Sequence, residues 1–335
     1  MVALNGLSPV ESLKRPAHPP HVKKSVNGMI AAKQTTLRER IVLSGAGVHS
    51  NAPARLVIHP SEPNSGISFL RTGLPGGRER MIEAKYSHVS MTELCTVIGA
   101  QGESVSTVEH LLAAFSGLGV DNAVVEVDGP ELPIMDGSAA AFVEAIDQVG
   151  LVQLSAPRRY IKVLKPVRIE NGRSFSELRP ADRGFRLEVE IDFAAGAIGR
   201  QKKVIDLDPA SFRREISRAR TFGFLADVER LWKAGFALGA SLENTVALDG
   251  DRVVNPGGLR YGDEFVRHKT LDAIGDLALA GAPIIGCYRS FCGGHKMNVS
   301  VLEALFADRA NYQIIEGQSR REASRADLGL SLRAV

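Results

Sequence analysis

Cysteine is scarce in this sequence, and so are long apolar runs and any excess of charge. The three cysteines, Cys95, Cys287 and Cys292, are an odd number spread over 335 residues. That is far below the density of a disulfide scaffold, and a reducing cytoplasm is the simplest expectation. No run of about 18 apolar residues occurs, which excludes a membrane-spanning helix, and the N-terminus has no apolar segment of the secretory type. A net charge of +3 leaves no electrostatic footprint for nucleic acid. What is present is 44% hydrophobic and 24% charged residues, the composition of a globular protein with one large domain or two of ordinary size.

Residues 1–31 read as a disordered extension. Pro16, Pro19 and Pro20 break structure, the lysines and arginines give a basic bias, and His18 and His21 belong to a solvated tail. From 32 to 156 the pattern is one of strands followed by helices. Arg40 to Leu43 and Ala54 to His59 read as strands joined by a hairpin turn at Ser44-Gly45-Ala46-Gly47. A helix is expected over His110 to Phe115, a strand over Ala123 to Val127, and a second helix from a Ser138 cap to Val149. Asp136-Gly137-Ser138 is read as turn and cap. Residues 157–310 repeat the order: strands at Tyr160–Ile169 and Phe185–Phe193, a short helix after Asp208-Pro209, and a long amphipathic helix over Asp263–Gly281. A strand over Pro283–Tyr288 and a last helix near Asn298–Ala310 follow. Two similar α+β domains are expected, with residues 311–335 as a loose tail.

Chemistry concentrates in three places. On the long helix His268, Asp272 and Asp276 recur every fourth residue and so share one face. An imidazole and a carboxylate four apart can chelate one divalent ion; a solvated polar face is the plain alternative. Glu109-His110 offers a further ligand and an adjacent general base, although Ser106-x-x-Glu109 also fits a helix capping box. In Cys292-Gly293-Gly294-His295 the two glycines let the backbone bring His295 close to a ligand; an ordinary loop histidine is the competing reading.

These clusters stand within longer motifs: Ser106-Thr107-Val108-Glu109-His110-Leu111, Asp121-Asn122, Glu131-Leu132-Pro133-Ile134-Met135-Asp136-Gly137-Ser138, Ser217-Arg218-Ala219-Arg220-Thr221-Phe222-Gly223-Phe224, Asp263-Glu264-Phe265-Val266-Arg267-His268-Lys269 through Asp276, and Gly294-His295. In this order they resemble the UDP-3-O-acyl-N-acetylglucosamine deacetylase family over roughly residues 32 to 310. The resemblance implies two α+β domains, each a sheet with helices on one face, whose helical layers meet in a β-α-α-β sandwich with the site between them.

It further implies a catalytic zinc, or ferrous iron in cells, held by His110, His268 and Asp272. Glu109 is then the general base, His295 the general acid with Asp276 hydrogen-bonded to it, and Thr221 a helper of the oxyanion. Lys269 would meet the substrate diphosphate, and Phe193, Phe222 and Leu94 would line the groove. Arg173 stands near the place of a family lysine, an exchange that alters the contact geometry. The segment Phe224 to Ala247 is the counterpart of an insert forming an apolar passage for the acyl chain. Expected with these are a nucleotide-sugar lipid as substrate, removal of its acetyl group in lipid A biosynthesis, no nucleic-acid partner, a cytoplasmic monomer, and transient contact with the inner-membrane surface. A generic metal amidase and a non-catalytic nucleotide-sugar-lipid binder are the other readings that the motifs leave open.

Overall fold

Burial alternates along the valine-rich strand Ala123–Val127, whose inward residues Ala123, Val125 and Val127 are fully buried. This strand is central in a five-stranded sheet of order Ile41–Ala46, Pro53–Pro60, Ala123–Val127, Ile67–Leu74 and Arg78–Glu83. The structure is a computed structural model and describes residues 33–317. The expected N-terminal extension lies outside the described residues. A helix over Glu109–Leu118 (α1) and one over Ala140–Val149 (α2) belong to this first half. Lys33–Leu37 pairs with Leu151–Pro157 at its end.

The second half is built on a seven-stranded sheet. Ile284–Phe291 runs through its middle, antiparallel to Ser174–Arg179 on one side and parallel to Phe185–Asp192 and Arg159–Val163 on the other. Its helices are Pro209–Glu215 (α3), Val228–Lys233 (α4), Glu264–Ala278 (α5) and His295–Ala307 (α6). α1 packs directly on α5, so helices meet helices between the two sheets. Gly275 makes the approach possible, since a Cβ there would lie 1.9 Å from the Glu109 carbonyl oxygen. This is the α+β class, with the helical layers inside. No helix among the described residues is long and apolar enough to cross a membrane.

Several elements differ from the sequence reading, each for a local reason. Ser44, Gly45 and Ala46 are inside a strand; the turn is Gly47–Ala52, closed by the Gly47 N–H on the Ala52 carbonyl. Tyr160–Ile169 is two strands, because Pro166 has no N–H to give to a ladder. Ile284–Phe291 is longer than expected, and α6 begins at His295 rather than near Asn298. The expected tail contributes the strand Tyr312–Glu316, antiparallel to Arg159–Val163; residues 318–335 are outside the described residues. α5 is not amphipathic in use. His268, Asp272 and Asp276 on one face, and Val266, Ala273 and Ile274 on the other, are all buried.

Candidate active site

α1 starts after Thr107, whose backbone takes a φ of +59°. The alternative reading of Ser106-x-x-Glu109 as a capping box is not met: Ser106 ends a strand and no side chain caps α1. The Glu109 carboxylate instead turns inward, where Oε2 accepts the Thr96 N–H at 3.1 Å. Next to it, His110 faces α5.

On α5 the four-residue spacing brings His268 and Asp272 to that same point. His110 Nε2 lies 3.7 Å and His268 Nε2 3.4 Å from Asp272 Oδ1. The imidazoles are nearly perpendicular, with centroids 5.1 Å apart. One ligand atom from each of the three residues falls within 4.8 Å of the others, and all three side chains are buried. In a tetrahedral zinc site with bonds of about 2.0–2.2 Å, neighbouring donors lie roughly 3.3–3.6 Å apart, which is the size of these separations. His268 Nδ1 donates to the Ala219 carbonyl at 3.1 Å, leaving the Nε2 lone pair free to face the cluster. His110 Nδ1 is buried with no hydrogen-bond partner. The donor set therefore fits a divalent metal.

The electrostatics agree with a neutral-imidazole, ionised-carboxylate site. Burial pushes the His268 imidazole down to about 4. Burial opposes ionisation of Asp272 too, yet His268 and Lys269 hold its carboxyl well below the usual range. Lys269 Nζ donates to Asp272 Oδ2 at 2.7 Å.

Asp276, one turn further along α5, binds three side chains. Its Oδ1 accepts the Thr96 hydroxyl at 2.6 Å, and its Oδ2 accepts His295 Nδ1 and Asn298 Nδ2, each at 2.8 Å. His295 is the first residue of α6, set there by Gly294 in extended conformation, and is no loop residue. Burial would discharge it, but Asp276 outweighs that and raises its pKa to about 9. Glu109 goes the other way for a carboxylate's usual state: burial raises it to about 7.

A cavity of about 530 Å³ opens over these groups, lined by Glu109, His110, His268, Asp272, Lys269 and His295 at its polar end. Thr221, Phe193, Phe222 and Leu94 also line it. The Phe222 ring stands edge-on to Phe193 at 5.8 Å and lies 6.2 Å from His268. Leu94 is held at φ +62° and is 46% exposed. Arg173 is not brought there; it pairs with Asp192 at 3.2 Å on the outer surface. Cys95 is buried, and burial pushes its thiol up, as suits packing rather than nucleophilic attack. The apolar end of the cavity is formed by Phe224, Leu225, Val228, Leu231, Trp232 and Leu242.

Sequence reasoning passed over Thr96, Asn298, His49 and Glu131. Thr96 follows Cys95 directly, and Asn298 is three residues after His295 on α6. That i, i+3 spacing was the available signal. His49 lines the cavity, and nothing local in the sequence marks it.

A family model described as UDP-3-O-acyl N-acetylglycosamine deacetylase matches residues 34–307. The chain is 52% identical over 286 residues to the UDP-3-O-acyl-N-acetylglucosamine deacetylases of Brucella ovis and Brucella canis, covering 85% of this chain and 99% of each relative. A relative of the same name from Brucella melitensis biotype 2 is similar to the same extent, 52% over 286 residues.

Proposed function

The chain belongs to the UDP-3-O-acyl-N-acetylglucosamine deacetylase family, and we propose that it works through a divalent metal held by His110, His268 and Asp272, with Glu109 as base and His295 as acid. It hydrolyses the acetamide of a UDP-linked 3-O-acyl-N-acetylglucosamine to the free amine and acetate, a step of lipid A biosynthesis. The observation that carries the mechanistic reading is the convergence of three metal-ligand atoms from α1 and α5 beside both a buried carboxylate and a cationic imidazole.

A cation bound there supplies Lewis-acid polarisation of the acetamide carbonyl and a water whose pKa falls toward about 7. Glu109, raised to about 7 by burial, takes the proton as water adds to the carbonyl carbon. The cationic His295 hydrogen-bonds the developing oxyanion, helped by the Thr221 hydroxyl, a reading supported by both residues lining the cavity. As the C–N bond breaks, His295 passes its proton to the departing nitrogen, because a free amide anion is a very poor leaving group. Asp276 keeps that imidazole charged and oriented. Lys269 gives the cavity wall a cation for the diphosphate, and Phe193 and Phe222 give flat apolar faces for the sugar or base. The apolar end suits the 3-O-acyl chain.

Zinc is the metal we assign, since two imidazoles and one carboxylate leave a fourth position open; ferrous iron accepts the same donors. A cytoplasmic monomer that meets the inner-membrane surface transiently completes the reading. Acetate release measured after chelation and after zinc add-back tests it: activity is expected to vanish and return. Activity that survives complete metal removal would overturn the metal assignment, and equal rates with and without the 3-O-acyl chain would overturn the lipid-precursor assignment.

A further inference from the structure

Glu131 is a carboxylate that the reaction leaves unused, although it is only 2% exposed and lies close to the cavity. Its Oε1 accepts the His49 N–H at 2.9 Å and the Thr107 hydroxyl at 3.0 Å; its Oε2 accepts the Ser50 N–H at 2.8 Å and the Ser50 hydroxyl at 2.6 Å. All four donors are uncharged. Burying a carboxylate is costly unless donors of this kind surround it, so the question is what the arrangement holds in place.

Three of the four bonds go to the turn Gly47–Ala52. The other side of that turn grips the insert of the second half. His49 O accepts the Leu238 N–H at 3.1 Å, and Val48 O accepts the Gly239 N–H at 3.0 Å. The Ala237 N–H points at His49 Nδ1, and the Phe236 ring stands edge-on to the imidazole at 5.4 Å. No space is left in this stack. A Cβ on Gly47 would lie 2.1 Å from Glu131 Oε2, and one on Gly239 would lie 2.3 Å from Gly47 O. Carboxylate, turn and insert tip therefore sit in direct succession. The insert they pin is the one whose Leu225, Leu231, Trp232 and Leu242 wall the apolar end of the cavity, with Val48 and His49 facing them.

We propose that Glu131 is a positioning residue for acyl-chain recognition: acting through the Gly47–Ser50 turn, it fixes the insert tip at 237–239 and thereby sets the shape of the apolar passage, without itself touching substrate. The proposal rests on the substrate reading given above. A purely structural carboxylate would instead weaken turnover of every substrate alike.

Two variants separate these roles from opposite sides of the stack. Glu131→Gln replaces half of the acceptor with an amide that faces the same donors. Gly239→Ala leaves Glu131 intact and pushes the insert tip off the turn. Each metal-loaded enzyme is assayed for kcat and KM on a long-chain 3-O-acyl substrate and on the same nucleotide sugar bearing a 3-O-acetyl group. For both variants kcat/KM on the long-chain substrate is expected to fall about tenfold, mainly through KM, while the 3-O-acetyl substrate stays within about twofold of wild type. The double variant is expected to be no worse than the poorer single one, as for residues acting through one contact chain.

Equal losses on both substrates, no loss on either, or wild-type constants for Gly239→Ala would overturn the proposal. If Glu131→Gln fails to fold, Gly239→Ala decides alone. A wild-type enzyme that does not distinguish the two substrates would overturn the substrate reading itself, which is a different result from a wild type that prefers the long chain and variants that lose no preference.

Discussion

Glu109 and His295 are both buried and their pKa values are both raised, for different reasons. For Glu109, loss of water dominates and lifts the carboxyl to about 7. For His295, loss of water works against the charge and Asp276 overrules it, giving about 9. The proposed mechanism needs Glu109 without its proton and His295 with one. Activity is therefore lost as pH falls through the Glu109 value and as it rises through the His295 value. A bell-shaped kcat/KM profile is expected with limbs near 7 and 9, the acid limb moving lower when a metal cation sits beside Glu109. A basic limb unchanged in Asp276→Asn would contradict the assignment of His295. Replacing either Glu109 or His295 by alanine is expected to lower turnover about a hundredfold or more, with metal content by elemental analysis unchanged, because neither is among the proposed ligands.

α5 carries two of the proposed ligands and the aspartate proposed to orient His295 on one face, and that face gains its meaning only from α1 against it. The sequence periodicity of α5 correctly marks a shared face, but it reads equally well as a solvated stripe. Burial by α1 is what removes that alternative. The contact is set by Gly275, with no room for a Cβ against the Glu109 carbonyl. Gly275→Ala is expected to push the helices apart at the cost of about 1–3 kcal/mol typical of overpacking. The melting temperature should drop by several degrees and the metal stoichiometry should fall with it. A variant that melts lower yet binds metal with full stoichiometry would mean the helix spacing does not govern the site. α3 makes a contrast: the short helix expected after Asp208-Pro209 forms, and its start carries a capping box, with the Asp208 side chain accepting the Ala210 and Ser211 N–H groups. At Ser106-x-x-Glu109, where a capping box was the alternative to a general base, no box forms, since Ser106 is committed to a strand and Glu109 to Thr96.

At the scale of the whole molecule, the three proposed ligand residues join two halves of the chain, His110 from the first and His268 and Asp272 from the second. Metal binding should therefore stabilise the fold as a whole. By mass action, a free metal concentration a thousand times its Kd contributes about 4 kcal/mol. Thermal melts with metal and with chelator are expected to differ by many degrees for wild type and scarcely at all for His268→Ala. An equal shift in both would place the metal elsewhere. The same joining of halves appears at Glu131 and the insert tip, where backbone meets backbone across the cavity mouth.

Much was legible because it is local. The strand Ala123–Val127, the short helix after Asp208-Pro209, and the four-residue beat of His268, Asp272 and Asp276 depend on neighbours within a turn or a pleat, so residue order alone determined them. The motifs also sufficed to mark the family. What tertiary structure decided is everything that needs water excluded or distant backbones apposed: the meeting of His110 with Asp272, the opposite causes behind the Glu109 and His295 ionisation, the place of Arg173 outside the cavity, and the buried roles of Thr96, Asn298 and Glu131. Those depend on which groups lose solvent together, and that is a property of packed elements rather than of sequence spacing.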